Sequence, residues 1–435
     1  MLKLSTSTYT TIFLVALFGI SIAATTYYYY STPNPTNLRI LYTHADTMVN
    51  EIARDFEKWY QQQPQYGRSI KVTAIHTDPQ TAFEKATTIF RTAEAEIWWG
   101  GPLSLFEEAH NRLLPYNSTH KEDINLTYFC PLMDPTDNTP HWYATSLYGQ
   151  GLMYNEHRLN ELGLPKPQTW TDLTHYQYEG NITMVDPTQS ELTSPFITLV
   201  LDSGNWTSGW EFLVTLSALI EEYDTNERDS TLKVSSTYLP LAVVPDSYAY
   251  ERMAMNISEI GFSYLDGTIL RPDPIAIINR GTYMNEAKAF VDYILTKQAQ
   301  DIIGKYLLPM HENATNFPSE FSPFDPDFPP IYSYNETLKE IIGGYYETWI
   351  TEKHTQIKNA WSEIREANVS SPFYRLALSN FTYAGHYIDS SEIVMIFNET
   401  DGWTNDEKVT LYMNEWRDAS SRAYANAIEN AEKSR

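Results

Sequence analysis

From Leu38 onward, short apolar runs alternate with stretches whose apolar residues recur every three to four positions. An unbroken apolar run of this length marks a strand, and a period near 3.6 marks one face of a helix. Residues 38–42 (LRILY) read as a buried strand, and Val49, Ile52, Phe56 and Tyr60 as the apolar face of the helix after it. Residues 70–75 make a second strand, and Phe83, Ala86 and Phe90 mark a second helix. Residues 96–99 form a third strand closed by Gly100-Gly101-Pro102, and Leu105, Phe106, Ala109 and Leu113 continue as a helix. Strands and helices in alternation, joined by short connections, predict an α/β fold with parallel pairing and right-handed crossovers.

The middle of the chain repeats this style. Residues 142–155 read as two extended pieces around Gly149 and Gly151. Further strands are expected over 181–185, 241–244, 261–264 and 274–278. Residues 210–220 form an apolar helix, and 287–303 one long amphipathic helix. Residues 316–334 are rich in Pro and aromatics without helical period, which reads as a linker or a surface strap. Beyond it, Leu338, Ile341, Tyr345, Ile350, Ile357, Trp361 and Ile364 predict long helices.

The N-terminus changes the picture. Residues 9–30 carry no charge, their apolar heart is IFLVALFGISIAA (12–24), and Lys3 precedes it. That is the length and flank of a signal-peptide core. The uncharged stretch is also just long enough to span a bilayer, with Tyr27–Tyr30 at its interface. Either way the rest of the chain is expected at the extracellular face, anchored by residues 9–30 or released by cleavage. Residues 31–37 are a Pro-rich spacer. Ten N-x-S/T sequons agree with export: Asn117, Asn125, Asn181, Asn205, Asn256, Asn313, Asn335, Asn368, Asn380 and Asn398. Chance would supply about four at this composition.

Composition bounds the chemistry. With 435 residues and 42% hydrophobic content the chain can bury two or three structural units. Its net charge of −25 argues against nucleic acid, which needs clustered Lys and Arg. The single cysteine, Cys130, allows no intrachain disulfide and no Cys-based zinc site. No G-x-S-x-G, H-E-x-x-H or P-loop pattern occurs, and no cofactor is expected.

In doubly wound sheets, ligands sit beyond the carboxyl ends of strands, where helix N-termini favour anions. Four loops qualify. Thr43, His44 and Asp46 follow the first strand, and Gly100 and Gly101 the third. Asp186, Thr188 and Ser190 lie in DPTQS after the strand 181–185, and Asp246, Tyr248 and Tyr250 follow 241–244. Each has a plainer reading: a helix cap for Thr43 or Asp46, a turn for the glycines, a capped turn for DPTQS, and packed rings for the tyrosines. Arg252 and Arg271 are the cations available to pair with an anion. Trp98 and Trp99 are expected in the core.

Four segments carry a resemblance. They are LRILYTHAD (38–46), IWWGGPLSLFEEAHNRLLPY (97–116), YGQGLMYNEHRLNELGLPKPQTW (148–170), and residues 244–299, where PDSYAYERMA leads to IGFSYLDGTILRPDPIAII. In this order they resemble the extracellular solute-binding proteins of ABC importers, within the type 2 periplasmic-binding-protein superfamily. The branch that binds ferric ion, phosphonates and phosphoglycerate is nearest. Glu96 departs from the family's usual Asp.

The resemblance implies a two-lobed fold that captures a small molecule or ion by hinge closure, and an ABC permease as partner, rather than an enzyme. Lobe one would comprise residues 38–140 and 260–313, and lobe two 141–259, followed by a linker and helical extension over 314–435. The extension is expected to dock on lobe one, with contact to the permease as the alternative. A small organic oxyanion is the favoured solute. Ferric ion is the other, with Tyr248, Tyr250 and His44 as ligands, although Ala249 separates tyrosines that relatives hold adjacent. Two rival readings stand beside this one. One is a Cys-dependent transferase on the same fold, resembling thiaminases, through Cys130. The other is a glycosylated surface protein without a ligand.

Overall fold

The computed structural model describes residues 35–66, 69–88, 94–124, 138–203, 206–255, 259–316, 322, 325, 327–331, 338–382 and 388–435. Residues 9–30, Cys130, and the sequon asparagines Asn125, Asn205, Asn256 and Asn335 lie outside the described residues. Among the described residues no helix is long and apolar enough to cross a membrane.

The first elements follow the expected order: β1 (Thr36–Tyr42), α1 (Asp46–Gln62), β2 (Ile70–His76), α2 (Pro79–Thr87), β3 (Ile97–Trp99) and α3 (Leu103–Glu108). β1 lies between β2 and β3 and is parallel to both. α1 buries Met48, Val49, Ile52, Ala53, Phe56 and Tyr60, the face its periodicity predicts. Glu96 is fully buried. Its carboxylate accepts from the Arg39 guanidinium at 2.6 Å and from the Arg39 backbone N–H at 2.9 Å, so the buried charge is paired.

Then come β4 (Tyr143–Asn155), α4 (Glu156–Leu162), β5 (Ile182–Val185), α5 (Pro195–Asp202), α6 (Trp206–Leu219), β6 (Ile220–Asp224), α7 (Glu227–Ser235), β7 (Leu241–Pro245), α8 (Asp246–Ala254), β8 (Ile260–Ser263), β9 (Leu270–Ile277), α9 (Met284–Ile294), α10 (Lys297–Ile303) and β10 (Leu308–Pro309). The sheet runs β2-β1-β3-β9-β4-β7-β5-β6, with β8 and β10 also pairing β4.

The elements depart from expectation in three places. Residues 143–155 form one strand of 13 residues rather than two pieces. The glycines let it pass close to its neighbours instead of breaking it. A Cβ on Gly151 would stand 2.2 Å from the Phe262 ring and 2.7 Å from the Ser263 carbonyl oxygen. The helix expected over 287–303 is two, because Thr296 caps α10 by accepting from the Ala299 N–H. β6 was not expected, since IEEYD is too polar to read as a strand; it pairs beside β5 at the end of the sheet.

β4 joins the two halves. Its first part pairs antiparallel with β9, from Tyr143 opposite Ile275 to Gly149 opposite Leu270. Its second part pairs with β7 and β8. Two hydrophobic cores result. One gathers β1, α1, β3, α9 and α10, and runs on under Met153, Ala242 and Val244. The other takes the opposite face through Leu152, Leu241 and Val243, with α5 and α6. Alternate strand residues enter different cores, as strand geometry requires.

The C-terminal extension is helical: α11 (Lys339–Trp349), α12 (His354–Glu366), α13 (Pro372–Thr382), α14 (Ser390–Glu399) and α15 (Asp406–Ser434). It packs on the second core, not on the first lobe as expected. α6 explains why. It buries Trp210, Leu213, Val214, Leu216 and Leu219, spread around the helix, so it needs cover on its outer side as well. Tyr345 of α11 packs edge-on to Trp210 at 4.9 Å, and the Tyr223 and Tyr346 hydroxyls meet at 2.9 Å. Part of the strap is described: Thr268 donates to the Pro330 carbonyl at 3.0 Å, and Phe328 packs 5.1 Å from Tyr264.

Candidate functional site

Polar and charged residues gather on the antiparallel pair β4–β9. There Ser146 stands opposite Asp273 and Tyr148 opposite Arg271. Residues two apart share a strand face, so these four share one. His44, from the loop after β1, comes down on the Asp273 end, with Nε2 2.7 Å from Asp273 Oδ2. The same oxygen accepts from Thr145 Oγ1 and Ser146 Oγ, each at 3.0 Å. The Trp99 indole donates to Thr145 Oγ1 at 2.9 Å, and its ring packs 4.7 Å from the imidazole.

A carboxylate only accepts, so His44 Nε2 is the donor in this contact and Nδ1 is left for another partner. That Nδ1 is buried and has no hydrogen-bond partner among the described residues. Gly100, with φ +90°, lies directly against this loop. A Cβ there would be 2.4 Å from the His44 ring and 2.5 Å from Thr43 Oγ1. Thr43, His44 and Gly100 are therefore brought together. Gly101, φ +118°, continues past Pro79. Asp46 turns away: it accepts from the Tyr42 hydroxyl at 2.7 Å and lies 3.1 Å from His76 Nδ1, largely in solvent.

At the other end of the shared face, Arg271 is only 3% exposed. Its Nη1 donates to the Glu191 carbonyl at 3.4 Å, and the guanidinium lies 6.0 Å from the Tyr148 ring centroid. Gln150 donates from Nε2 to the Leu192 carbonyl, while its buried Oε1 has no partner among the described residues. The loop after β5 thus reaches the crossing strands. Within it, Asp186 accepts from the Thr188 N–H and hydroxyl, each at 2.9 Å, which is a self-capped turn. Ser190 donates to Glu227. Asp186 and Ser190 therefore hold the loop's shape.

Asp246 opens α8 and is fully buried. Its Oδ2 accepts from the Gly149 N–H at 2.8 Å and the Tyr264 hydroxyl at 2.7 Å, and Tyr264 in turn lies 3.0 Å from the Tyr250 hydroxyl. Burial pushes the Asp246 carboxyl up to about 7, against the pull of Tyr264, the Gly149 N–H and the Ser247 N–H. Burial, Asp246 and Tyr250 together hold the Tyr264 hydroxyl well above its ordinary value. Tyr248 lies outside this relay; burial and the nearby Glu227 and Glu251 push it up to about 12. The tyrosines expected to share a metal thus face different partners. Arg252 bonds Thr231 at 3.3 Å. Trp98 and Trp99 are both core, and Trp98 stacks on Phe106 at 3.7 Å.

Reading the sequence missed Thr145, Ser146, Tyr148, Gln150, Tyr264 and Asp273. One signal was present: RPDPIAI sets two opposite charges inside an otherwise apolar strand, where a charge needs a purpose or a partner.

Residues 106–327 match the family described as bacterial extracellular solute-binding protein, just over half of the chain. The phosphoglycerate transport regulatory protein PgtC of Salmonella typhimurium is 25% identical over 231 residues, 52% of this chain and 57% of that protein. The chain therefore spans little more than half the length of that relative. Among solved structures, the periplasmic binding protein AfuA from Actinobacillus pleuropneumoniae, with fructose-6-phosphate bound, superposes with a TM-score of 0.56 at 20% identity. That match covers 75% of this chain and 98% of AfuA. The ferric binding protein from Campylobacter jejuni gives a TM-score of 0.52 at 16% identity over 74% of this chain and 98% of its own. At these identities the two structures share the fold, an α/β two-lobed architecture of the periplasmic-binding-protein kind. The sequence match carries the assignment further: the chain belongs to the bacterial extracellular solute-binding proteins.

Proposed function

We propose that this protein captures a small organic oxyanion in the cleft between its lobes, by hinge closure, and delivers it to an ABC permease. The observation that carries this is the buried Arg271 guanidinium. It lies on the same face of β4–β9 as the His44–Asp273 pair. His44 Nδ1, Gln150 Oε1 and Asp246 Oδ1 are buried around the same strands without partners among the described residues. Buried polar atoms are costly unless bonded, so a polar ligand or ordered water completes them. A guanidinium with hydroxyl-binding neighbours suits an anion that also carries hydroxyls.

Ferric ion fits less well. The Tyr250 hydroxyl is engaged with Tyr264, and the His44 Nε2 with Asp273. In this reading residues 9–30 hold the protein at the outer face of the membrane, or are cleaved to release it.

A thermal-shift panel tests the proposal, using fructose 6-phosphate, 3-phosphoglycerate, phosphonates, inorganic phosphate, citrate, ferric citrate, amino acids, sugars and thiamine. A ligand that binds only the folded state stabilises it by about 2.7 kcal/mol at a hundredfold excess over Kd. One organic anion should raise the melting temperature, and Arg271→Met should remove the shift. A shift with ferric citrate but not with citrate would overturn the oxyanion reading. Silence across the whole panel would count against solute capture itself.

A further inference from the structure

The loop after β5 is held from two sides. On the side of the crossing strands, Arg271 bonds the Glu191 carbonyl at 3.4 Å and Gln150 bonds the Leu192 carbonyl. On the opposite side the contacts come from the C-terminal extension, beyond the residue, 327, at which the family match ends. Lys339, the first residue of α11, forms an ion pair with the Glu191 side chain. Thr351, just past the end of α11, donates to Asp186 Oδ1 at 3.1 Å. That is the oxygen that caps Thr188. The two tethers therefore grip the two ends of α11 to the start and the middle of one loop. A cavity of about 250 Å³ lies between them, lined on one side by Thr188, Ser190 and Glu191 and on the other by Lys339, Gly343 and Glu347.

The extension is a firm anchor for such tethers. α11 buries Ile341, Ile342, Tyr345, Tyr346 and Trp349. Ser420 and Tyr424 of α15 donate to the carbonyls of Thr348 and Trp349 at 3.0 and 2.9 Å. A loop tied to this block loses its conformational freedom before any ligand arrives. The ordering cost is then not charged against binding.

We propose that Lys339 and Thr351 are positioning residues for solute capture: the C-terminal extension preorganises the loop 186–193 for closure on the ligand. The identification of that loop as ligand-facing rests on the function proposed above. The tethering does not.

The test uses the full-length protein and the variants Lys339→Met, Thr351→Val and the double variant, with Lys339→Arg and Thr351→Ser as conservative controls. Hydrogen exchange is followed over residues 186–194 and over α11 and α15, without ligand. The double variant should exchange the loop about tenfold faster while α11 and α15 keep their protection, and the controls should match the wild type. Calorimetry with fructose 6-phosphate, 3-phosphoglycerate and inorganic phosphate then reads affinity, which should fall about three- to tenfold in the double variant and recover in the controls. Unchanged loop exchange in a double variant whose extension stays protected overturns the inference. If the double variant loses the extension's protection, the single variants are judged by the same comparison. Faster loop exchange with unchanged affinity for a probe that the wild type binds overturns the role in capture. Absence of binding by the wild type would strike the oxyanion proposal instead, and loop exchange alone would then decide the tethering.

Discussion

Asp246 is the residue whose chemistry departs furthest from its ordinary behaviour at neutral pH. Its folded-state carboxyl titrates near 7 rather than 3.8, because it is fully buried. The folded protein therefore holds a proton that the unfolded chain releases. Stability falls as pH rises from about 4 to about 7, and the loss is complete above the folded pKa. The donors Tyr264, Gly149 and the Ser247 N–H limit the loss; roughly 4 kcal/mol is the scale for a shift of this size. Asp246→Asn keeps an acceptor for Gly149 and cannot ionise. Its stability relative to the wild type should rise between pH 5 and pH 8 in urea titrations. A difference that stays flat with pH would place the carboxyl's titration elsewhere. At the same scale, Asp273→Ala removes the acceptor shared by His44, Thr145 and Ser146; Thr145 keeps the backbone carbonyl of residue 273 at 3.2 Å, but the His44 Nε2 and the Ser146 hydroxyl lose their acceptor. A loss of roughly 3 kcal/mol or more is expected, read as a lower urea midpoint at unchanged slope.

At the scale of elements, β4 bears most of the design. It pairs with β9 and β10 in one half and with β7 and β8 in the other. Along residues 145–150, Thr145 and Ser146 donate to Asp273, the Gly149 N–H to Asp246 and Gln150 to the Leu192 carbonyl, while Tyr148 lies beside Arg271. Its close passage depends on absent side chains. Gly151→Ala would force a methyl onto Phe262 and the Ser263 carbonyl. It should cost roughly 1–3 kcal/mol, because the carbonyl belongs to a paired backbone that cannot swing aside as a ring can. Chemical denaturation measures this directly. Gly163, where a Cβ would meet nothing within 4 Å but φ is +66°, makes a useful contrast, since any cost of substitution there is conformational alone.

At the scale of the whole molecule, two features set behaviour. Under the oxyanion proposal, the net charge of −25 opposes the approach of the solute at long range, and the buried Arg271 guanidinium is what attracts it at contact. Raising salt from about 10 to 150 mM should therefore speed capture, by about two- to tenfold, in stopped-flow binding. A rate that falls with salt would mean local attraction governs the encounter. The extension is the second feature. Ending the chain before Leu338 would uncover Trp210, Leu213 and their neighbours on α6, now covered by α11–α15. Such a chain should bind hydrophobic dyes and associate more than the full-length protein, as measured by dye fluorescence and light scattering.

How much of this was legible in the sequence depends on the range of the interaction. Strand and helix identity in the first half followed from local periodicity, because residues 38–42 and the face Val49–Ile52–Phe56–Tyr60 carry their burial pattern within one element. The family followed from short motif segments, and the family match over residues 106–327 agrees with that resemblance. Glu96 could be singled out as unusual, but its pairing with Arg39, 57 residues away, could not. Tertiary structure alone decided that residues 143–155 are one crossing strand and that His44 meets Asp273, 229 residues on. It alone decided that Tyr248 and Tyr250, two residues apart on one helix, face different partners. It also decided that the extension covers the second core and tethers the loop after β5. Periodicity reports that a residue is buried. Which distant group it is buried against is set only when the chain closes on itself, and binding sites are made of those pairings.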